Sequence, residues 1–312
     1  MKRKGYLYPN IYGFDNIVQA YNEVCKNTKN KRKVEYFKEY KCLYISRIHE
    51  ILKNRAYKVG KYNVFTIYEP KERRIVSQNM QDKVVNHLVA RYILYPAILP
   101  CLLDINVASR KNMGTEKGLD YYREFFRKSK IKYKNFYVLK CDISKFFASI
   151  DHDILKQKLK KKIKDTEALK IIFDIIDIEE TGLSIGAMTS QVLAIFYLND
   201  MDHYIKETLK IKYYVRYQDD FLLFHPSKKY LKTCLEKIKI FLCKEKLILN
   251  KKTRIYKDTN NFIFLGRTKK CKYAKYREID RKLKKRMYLY KTNKITLMSL
   301  VSSSICFQNL TK

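Results

Sequence analysis

The hydrophobic positions of the chain predict a helical N-terminal part followed by a short β-hairpin. Residues 14–55 contain few helix-breaking residues and predict helices with Lys-rich faces. Residues 62–68 are rich in β-branched and aromatic side chains, which favours a strand, and a second strand is predicted at 74–77 after the turn at Glu69–Pro70. Apolar residues at helical spacing then predict a helix over 80–95.

The middle of the chain alternates apolar strands with helices. Residues 136–143 form an apolar run that ends in an acid, and Asp151 is placed to cap the helix that follows. A long amphipathic helix is predicted over 187–208, and two strands around a tight turn are predicted over 212–224.

The remaining segments complete the predicted fold. A helix over 231–242 precedes short strands near Ile255 and over 262–265, and the tail from 270 is strongly basic and ends in a small apolar helix. No internal repeat and no Pro- or Gly-rich linker interrupts the chain, so we expect one continuous body. The order of elements predicts an antiparallel sheet with helices on one side, which is an α+β fold.

The charge of the chain points to a polyanionic partner. The 312 residues carry 67 Lys and Arg against 31 Asp and Glu, a formal net charge of +36, and 46% of them are hydrophobic, which suffices for a core. Such an excess of positive charge attracts nucleic acid first and a membrane surface second. A coding bias toward Lys is the alternative explanation, because Ile, Tyr and Asn are abundant as well.

Neither a membrane span nor a secretion signal is predicted. The most apolar stretch, 88–107, is interrupted by two prolines and two charged residues, and no apolar segment follows the basic N-terminus. The eight cysteines contain no C-x-x-C pair and have no histidine at zinc spacing. Cys101 and Cys141 are predicted to be buried thiols, and we expect a cytoplasmic location.

Three acids lie in surroundings that suit a metal site. Asp219 and Asp220 lie in the run YYVRYQDDFLLF, with apolar and aromatic residues on both sides. Burying two adjacent carboxylates without a cation is costly, so this turn is predicted to bind one. A solvated Asp-Asp turn is the alternative. Asp142 ends the apolar strand FYVLKCDI in the same way, with a helix cap or turn as its alternative.

Together these three carboxylates match the needs of phosphoryl transfer. Hard cations prefer oxygen ligands, and two Mg²⁺ ions about 3.5–4 Å apart can hold the attacking and the leaving oxygen of an in-line displacement. Mn²⁺ is the alternative ion.

The segments around these acids resemble the sequence motifs of reverse transcriptases. LKCDISKFFASIDHDIL (139–155) resembles motif A, the segment 182–206 resembles motif B, and YQDD (217–220) resembles the Y-x-D-D motif C. LILNKKTRIY and NFIFLG (247–266) resemble motifs D and E, and YEPKERRI (68–75) resembles the fingers segment that holds the incoming triphosphate. The motifs follow one another in the order and at the spacing of that family.

Motif B narrows the resemblance. Where group II intron and retron reverse transcriptases carry a Q-G-x-x-x-S-P type of sequence, Ile185–Gln191 reads I-G-x-x-x-S-Q. This pattern resembles the reverse transcriptases of diversity-generating retroelements, as does the stretch NVASRKNMGT (106–115). Two features depart from the family pattern: the short basic C-terminal region, and Gln218 at a position where Met or Ala is commoner.

The resemblance implies a right-hand polymerase with an α+β palm and a short thumb. The implied parts are N-terminal helices and fingers over 1–95, palm with motif A over 96–149, fingers over 150–186, palm with motifs B to E over 187–268, and a short basic thumb over 269–312.

The resemblance also implies roles at the catalytic centre. Asp142, Asp219 and Asp220 would be the catalytic metal ligands, and the backbone carbonyl of Ile143 would face one of the two Mg²⁺ ions. Phe147, five residues after Asp142, would be the steric gate whose ring excludes a ribose hydroxyl. An ordinary core phenylalanine is the alternative, and that is the role expected of the neighbouring Phe.

Further residues are implied to bind substrates. Those implied to contact the incoming nucleotide are Lys71, Arg73, Arg74, Phe147, Ile185, Gly186, Gln191 and Lys252. Those implied to contact primer and template are Ser190, Tyr217, Phe264, Leu265, Gly266, Lys284, Lys285 and Arg286.

Several of these roles have alternatives. The basic residues at 71–74 could form a solvated cationic hairpin, and Lys251 could replace Lys252 at the leaving pyrophosphate. Ser190 and Gln191 could be simple polar residues at a helix start.

As a function, the resemblance implies an RNA-directed DNA polymerase that makes cDNA from a structured RNA template, a DNA primer and dNTPs. In a diversity-generating retroelement it would make errors at template adenines and would work with a structured noncoding RNA and a small basic accessory protein, without a membrane. One alternative is an antiphage-defence reverse transcriptase acting with its own noncoding RNA. Another is a non-catalytic RNA-binding scaffold, against which the intact acids argue.

Overall fold

The computed structural model describes residues 3–68, 72–259, 262–267 and 271–308. The chain divides into two compact units, Met1–Phe65 with Ile75–Asp258, and Thr66–Arg74 with Thr259–Lys312. The expectation of one continuous body was therefore wrong. The basic sequence from 270 onward explains the division, because Lys and Arg occupy many of the positions that would have to be apolar to extend the core.

The N-terminal part is helical, as predicted, but it forms three helices after a short 3-10 turn at Tyr8–Ile11. The breaks fall at 28–30, where Asn30 caps the next helix by accepting from the Lys33 amide at 3.0 Å, and at Tyr40. The three helices are α1 (Phe14–Asn27), α2 (Lys31–Glu39) and α3 (Lys41–Lys53).

A two-stranded hairpin and a long helical run follow. The strands β1 (Asn63–Ile67) and β2 (Arg73–Ser77) pair with each other and confirm the predicted hairpin. Asn79 caps the next helix by accepting from the Asp82 amide at 2.8 Å. The run comprises α4 (Met80–Val89), a π turn (Ala90–Leu94), α5 (Tyr95–Ile98) and a 3-10 turn (Leu99–Cys101).

This run is the one helix in the described residues that is long and apolar enough to cross a membrane by composition. More than half of its most apolar window, 56%, is buried inside the protein. Val84, Leu88, Ile93 and Ile98 have no exposed surface and belong to the main hydrophobic core. The helical run is therefore buried to the extent expected of a helix in the hydrophobic core.

A four-stranded antiparallel sheet forms the centre of the larger unit and confirms the predicted strands. The strand order is β4-β5-β3-β6, so β3 lies between two partners. Val138, Leu139 and Cys141 are completely buried, and because adjacent residues of a strand face opposite sides of the sheet, burial on both sides explains the apolar run in the sequence. The four strands are β3 (Tyr137–Asp142), β4 (Tyr213–Tyr217), β5 (Asp220–His225) and β6 (Arg254–Lys257).

Helices of the larger unit pack against this sheet, and Asp151 caps one of the unit's helices as predicted, accepting from the Ile154 amide at 3.0 Å. Cys101, predicted to be buried, is only half-buried because its thiol lies at a helix end and donates to the Ile98 carbonyl. The helices are α6 (Thr115–Tyr133), α7 (Phe146–Ser149), α8 (His152–Lys160), α9 (Thr166–Ile176), α10 (Met188–Tyr197), α11 (Asn199–His203) and α12 (Lys228–Lys244).

The predicted amphipathic helix over 187–208 differs in two respects. It is interrupted at Leu198, and a π turn (Tyr204–Thr208) replaces its last part. Moreover, α10 is buried on nearly all sides from Thr189 to Tyr197, with Gln191 as the exposed exception. A helix that is apolar all round suits the interior of a unit and not its surface.

The smaller unit contains the tip of the β1–β2 hairpin and two helices, α13 (Cys271–Lys291) and α14 (Leu297–Gln308). The strand predicted over 262–265 is not formed. A single bridge joins Phe264 and Arg267, because Leu265 and Gly266 both adopt a left-handed backbone, with φ of +50° and +76°, and reverse the chain at once.

Candidate active site

The sheet register brings the predicted acids together. Asp142, the last residue of β3, lies directly opposite Asp220, the first residue of β5. Asp220 also pairs with Tyr217 across the β4–β5 turn, so the turn consists of Gln218 and Asp219. Gln218 has a left-handed φ of +54°, as tight two-residue hairpins require. This register places the three acids at one end of the sheet, and all three are half-buried.

Asp220 has a cationic partner that the sequence reading missed. The Lys140 ammonium lies 2.5 Å from the Asp220 carboxylate and donates a hydrogen bond to it. Lys140 precedes Asp142 by two residues in β3, so both side chains point to the same face of the sheet. That alternation along β3 was the signal in the sequence for this pair.

The electrostatics of this cluster are dominated by excess negative charge. Burial raises the pKa of the Asp220 carboxyl to about 6; its neighbours Asp142 and Asp219 raise that pKa as well, while the Lys140 ammonium opposes the shift. One ammonium therefore does not compensate the three carboxylates, and a further cation would stabilise them.

The donor set fits a divalent metal ion. It consists of hard carboxylate oxygens, which divalent ions prefer. The backbone carbonyl of Ile143 was predicted as a further ligand. The bridge between Ile143 and Leu249 does not use that carbonyl, because its hydrogen bonds involve the Asp142 carbonyl and the Ser144 amide. In the described residues no three Asp, Glu, His or Cys side chains stand close enough to hold one ion together. Such an ion would compete with the Lys140 ammonium for the Asp220 carboxylate.

The raised pKa of Asp220 predicts a pH-dependent stability in the absence of divalent ions. Its folded pKa of about 6 lies above the ordinary value of 3.8, so the folded protein binds this proton more tightly than the unfolded chain does. Stability from this group is present at low pH and is lost as the pH rises through about 6. With chelator present, Asp220→Asn should therefore flatten the dependence of the urea midpoint on pH between about 5 and 7.5.

Asp120→Asn is the matched control, because Asp120 is exposed and pairs with Arg123 on the same helix. We expect its stability profile to follow that of the parent. Equal pH dependence of the parent and Asp220→Asn would contradict the assignment.

Arg216 fixes the position of the acidic turn. It is completely buried with Asp202, whose carboxylate accepts from Arg216 Nε at 2.7 Å and from the Tyr214 hydroxyl at 2.6 Å. Two further guanidinium contacts reach the backbone carbonyls of Gln218 and Ile195, both at 3.0 Å. The guanidinium thus ties the turn that carries the acids to α10 and α11.

A side-chain hydrogen-bond chain joins three of the sequence motifs. Gln218 Nε2 donates to Ser109 Oγ at 2.9 Å, and Ser109 Oγ donates to Gln191 Oε1 at 3.3 Å. The segment 106–115, motif B and motif C therefore meet at the turn. Backbone bonds between Arg216 and the residues Ile105 and Val107 support the same junction.

The backbone of Phe147 packs against a position that requires glycine. Phe146 is buried in the core, as expected, whereas Phe147 is half-buried on α7. The Phe147 carbonyl accepts from the Leu183 amide at 2.7 Å. A Cβ at Gly182 would lie 2.6 Å from both that carbonyl and the Cα of Ala148, and Gly182 has a φ of +75°. Gly182 therefore permits the close approach that positions Phe147, a role that no sequence motif indicated.

Motif B divides into exposed and buried positions. Ile185 is half-buried and outside the main core, and its carbonyl accepts from the Val76 amide of β2 at 3.3 Å. Gly186 is exposed with a φ of +121°. Ser190 is buried and shares a 3.3 Å hydrogen bond with Ser184, so its hydroxyl has a structural partner.

The predicted basic contacts are exposed. Arg73 and Arg74 lie on β2 of the hairpin, and Lys71 lies outside the described residues. Lys251 and Lys252 are both exposed, so the choice between them stays open. They follow Asn250, whose amide donates to the Asp142 carbonyl at 2.7 Å. Motif D is thereby bound directly to the strand that carries the first acid.

The predicted primer and template contacts fall into two groups. Tyr217 is half-buried at the end of β4, and Phe264 is buried while Gly266 is exposed. On α13, Lys284 and Lys285 are exposed, and Arg286 donates to the Ser299 carbonyl at 2.7 Å. Arg286 thus has a structural role within the smaller unit.

Comparison with known proteins decides the family. The profile described as "Reverse transcriptase (RNA-dependent DNA polymerase)" matches residues 57–269, which is more than half of the chain. The chain belongs to the reverse transcriptase family. Its matched region includes β3, the β4–β5 turn and α10, so the acids of this reverse transcriptase lie inside the family region.

The reverse transcriptase is also similar to a COX1/OXI3 intron 1 protein of Saccharomyces cerevisiae. The two are 24% identical over 283 residues, which is 84% of this chain and 32% of that protein. The present reverse transcriptase therefore spans about a third of the relative.

Proposed function

We propose that this reverse transcriptase makes cDNA at the end of the central sheet, with Asp142, Asp219 and Asp220 as the ligands of two Mg²⁺ ions. The pairing of Asp142 opposite Asp220, with Asp219 in the adjoining turn, carries the proposal. When bound, the ions would supply charge stabilisation for the attacking 3′-hydroxyl and for the leaving pyrophosphate. Lys140 would release Asp220 on ion binding and keep it anchored otherwise.

We further propose that the larger unit contains the palm and most of the fingers, and that the smaller unit contains the thumb together with the fingers residues Thr66–Arg74. The four-stranded sheet with its acids suits the palm, and the β1–β2 hairpin, whose β2 carries Arg73 and Arg74, suits the fingers segment. Exposed cations on α13 suit the thumb, where they would contact phosphates without reading sequence.

Phe147 is proposed as the gate that excludes ribonucleotides. Its half-buried ring follows the strand end that carries Asp142, and Gly182 holds its backbone. We expect Phe147→Val to raise ribonucleotide incorporation relative to dNTP incorporation by roughly 10–200-fold, the range that a few missing apolar atoms give in a pocket. Single-nucleotide extension with dATP and ATP, each opposite template uracil, measures this ratio.

Phe146→Leu is the matched control, because Phe146 is a buried neighbour in the core. That variant should lose some stability and keep the parent's sugar discrimination. Unchanged discrimination in Phe147→Val would move the gate to another residue.

We propose a diversity-generating role because of the apolar side chain of Ile185 in motif B. Most relatives place Gln at this position of motif B, whereas Ile185 offers shape without a hydrogen-bonding group. A buried polar group left unpaired by a wrong base pair costs about 1–3 kcal/mol, and Ile185 imposes no such penalty. Mispairs should therefore be tolerated, and the resemblance to diversity-generating retroelements implies that template adenine is the favoured position.

Ile185→Gln should lower misincorporation opposite template adenine by roughly tenfold, with a smaller change in overall rate. Sequencing of cDNA made by the parent, Ile185→Gln and Ile185→Leu on one RNA measures this, and Ile185→Leu should keep the parent's errors. A parent with uniformly low errors at adenine would favour the antiphage-defence function. Sequencing the RNA and cDNA that copurify with the protein separates the two roles.

A further inference from the structure

A second nucleic-acid site is indicated beside the N-terminal helices. A groove of about 690 Å³ lies between α2 and α3 on one side and the end of β2 with the start of α4 on the other. Arg32, Tyr36 and Arg47 line its helical wall, and Ser77 and Gln78 line the opposite wall. The helical wall precedes residue 57, where the match to the reverse transcriptase family begins.

The groove carries positive charge without compensation. Arg32, Lys33, Arg47 and Lys61 line it, and all four side chains are exposed, whereas no Asp or Glu lines it. In the part of the chain that the structure describes, none of the four forms an ion pair with an acid. The charge of Lys33 also contributes to the lowered pKa of the nearby Lys83 ammonium, after burial, which is the larger cause. A polyanion would relieve this repulsion.

Aromatic rings accompany these cations. Tyr36 is 58% exposed on the groove wall, and its ring lies 5.0 Å from that of Tyr40. Tyr44 is half-buried in the same groove. Flat rings beside phosphate-binding cations suit unpaired bases, which stack on aromatic side chains in a sequence-tolerant way.

The opposite wall has an unsatisfied hydrogen-bond donor. Gln78 is only 8% exposed, and its amide Nε2 has no partner among the described residues. Its neighbour Asn79 is occupied, because it caps α4 and donates to Asp82. Buried donors without partners are uncommon, and the edge of a base in the groove would offer Gln78 an acceptor.

We propose that this groove binds unpaired RNA that continues from the polymerase site. The proposal rests on the proposed function of Ile185 and Gly186. The Val76 amide donates to the Ile185 carbonyl, and Ser77, the next residue, already lines the groove. Template RNA beyond the templating base can therefore pass from motif B into the groove, with phosphates at the cations and a base against Tyr36.

The test uses a DNA primer on RNA templates with 5′ overhangs of about two or about twelve nucleotides. The groove variant is Arg32→Ala with Lys33→Ala and Arg47→Ala. The matched control removes three exposed cations of α12, as Lys229→Ala with Lys232→Ala and Lys237→Ala. We expect the long overhang to tighten binding by the parent and by the control roughly tenfold or more, and the groove variant to lose that gain.

The salt dependence separates local contacts from the overall field. Each phosphate neutralised on a single strand contributes about 0.7 to the steepness with which the logarithm of the association constant falls against the logarithm of the salt concentration. The slope on the long overhang should therefore fall by about 2 in the groove variant, and the control should keep the parent's slope. Equal losses in both triple variants would show that only bulk charge attracts RNA, and would overturn the proposal.

Two single variants test the base contacts. Tyr36→Ala should reduce the gain from the long overhang several-fold, with Tyr6→Ala, which removes an 84% exposed ring, as its control. Gln78→Met should reduce the same gain while leaving the urea midpoint unlowered, since it removes a donor that has no partner. Unchanged overhang binding in both variants would overturn the assignment of a base to this groove.

Incorporation of a single dNTP on the template with the short overhang distinguishes a failure of the groove proposal from a failure of the proposed polymerase function. We expect all variants of the groove to retain the parent's rate there. If the parent incorporates dNTP but gains nothing from the long overhang, the groove proposal alone fails. If the parent incorporates nothing while binding the primer–template, the polymerase mechanism fails.

Discussion

Asp219→Asn is expected to reduce dNTP incorporation on a primed RNA template by on the order of 10³-fold or more. Asp219 lies in the two-residue turn, next to the pair formed by Asp142 and Asp220. An amide of the same shape removes the charge that holds a divalent ion, and such an ion supplies several kcal/mol of transition-state stabilisation. Single-turnover incorporation with saturating dNTP measures the loss, with RNA affinity measured alongside.

Asp220→Asn provides a graded comparison. Its carboxylate already accepts from Lys140, and an Asn oxygen can still accept that hydrogen bond, so the loss should be smaller than for Asp219→Asn. The exposed Asp120→Asn should retain the parent's rate. If Asp219→Asn incorporated dNTP as fast as Asp120→Asn does, the assignment of the metal ligands would be wrong.

Arg216→Met is expected to produce the largest loss of stability. The variant leaves Asp202, which has no exposed surface, without its guanidinium, and removing one partner of a buried ion pair costs about 3–5 kcal/mol. It also frees the Gln218 carbonyl of the acidic turn from its donor. Urea unfolding of the metal-free protein measures the change, and incorporation by the folded fraction should fall as well.

Two controls identify the origin of this loss. Arg123→Met removes an exposed, 57% accessible arginine from a pair within α6 and should change stability by roughly 0.5 kcal/mol or less. Adding Asp202→Leu to Arg216→Met should recover part of the loss, because the unpaired buried charge disappears. A loss below about 1 kcal/mol in Arg216→Met would show that the pair does not hold the turn.

The central sheet could be predicted because its signals are local. The apolar run before Asp142 and the aromatic residues around the Asp219–Asp220 turn identify strands by composition alone, and the motif order then fixes the family. The short turn at Gln218 and Asp219 sets the register of β4 and β5, whereas the register that places Asp142 opposite Asp220 joins strands that are distant in the sequence. The alternation of side chains along β3 also places Lys140 on the same face as Asp142, so this partner of Asp220 had a local signal as well.

The rest depends on contacts between distant segments. The partners of Arg216 lie 14 and 21 residues away along the chain, and Ser109 lies 82 residues from Gln191. The requirement for glycine at Gly182 arises from the backbone of Phe147 and Ala148, which no periodicity reports. The break at Leu198 has no Pro or Gly to announce it, so the helix predicted over 187–208 was too long.

The most direct test of the account is extension of a DNA primer on an RNA template by the purified protein and by Asp142→Asn. With Mg²⁺ and four dNTPs, the parent should make cDNA that is complementary to the RNA, whereas Asp142→Asn should bind the same primer–template with equal affinity and make none. Equal cDNA synthesis by both proteins would contradict the account, because the acid at the end of β3 would then have no part in the chemistry.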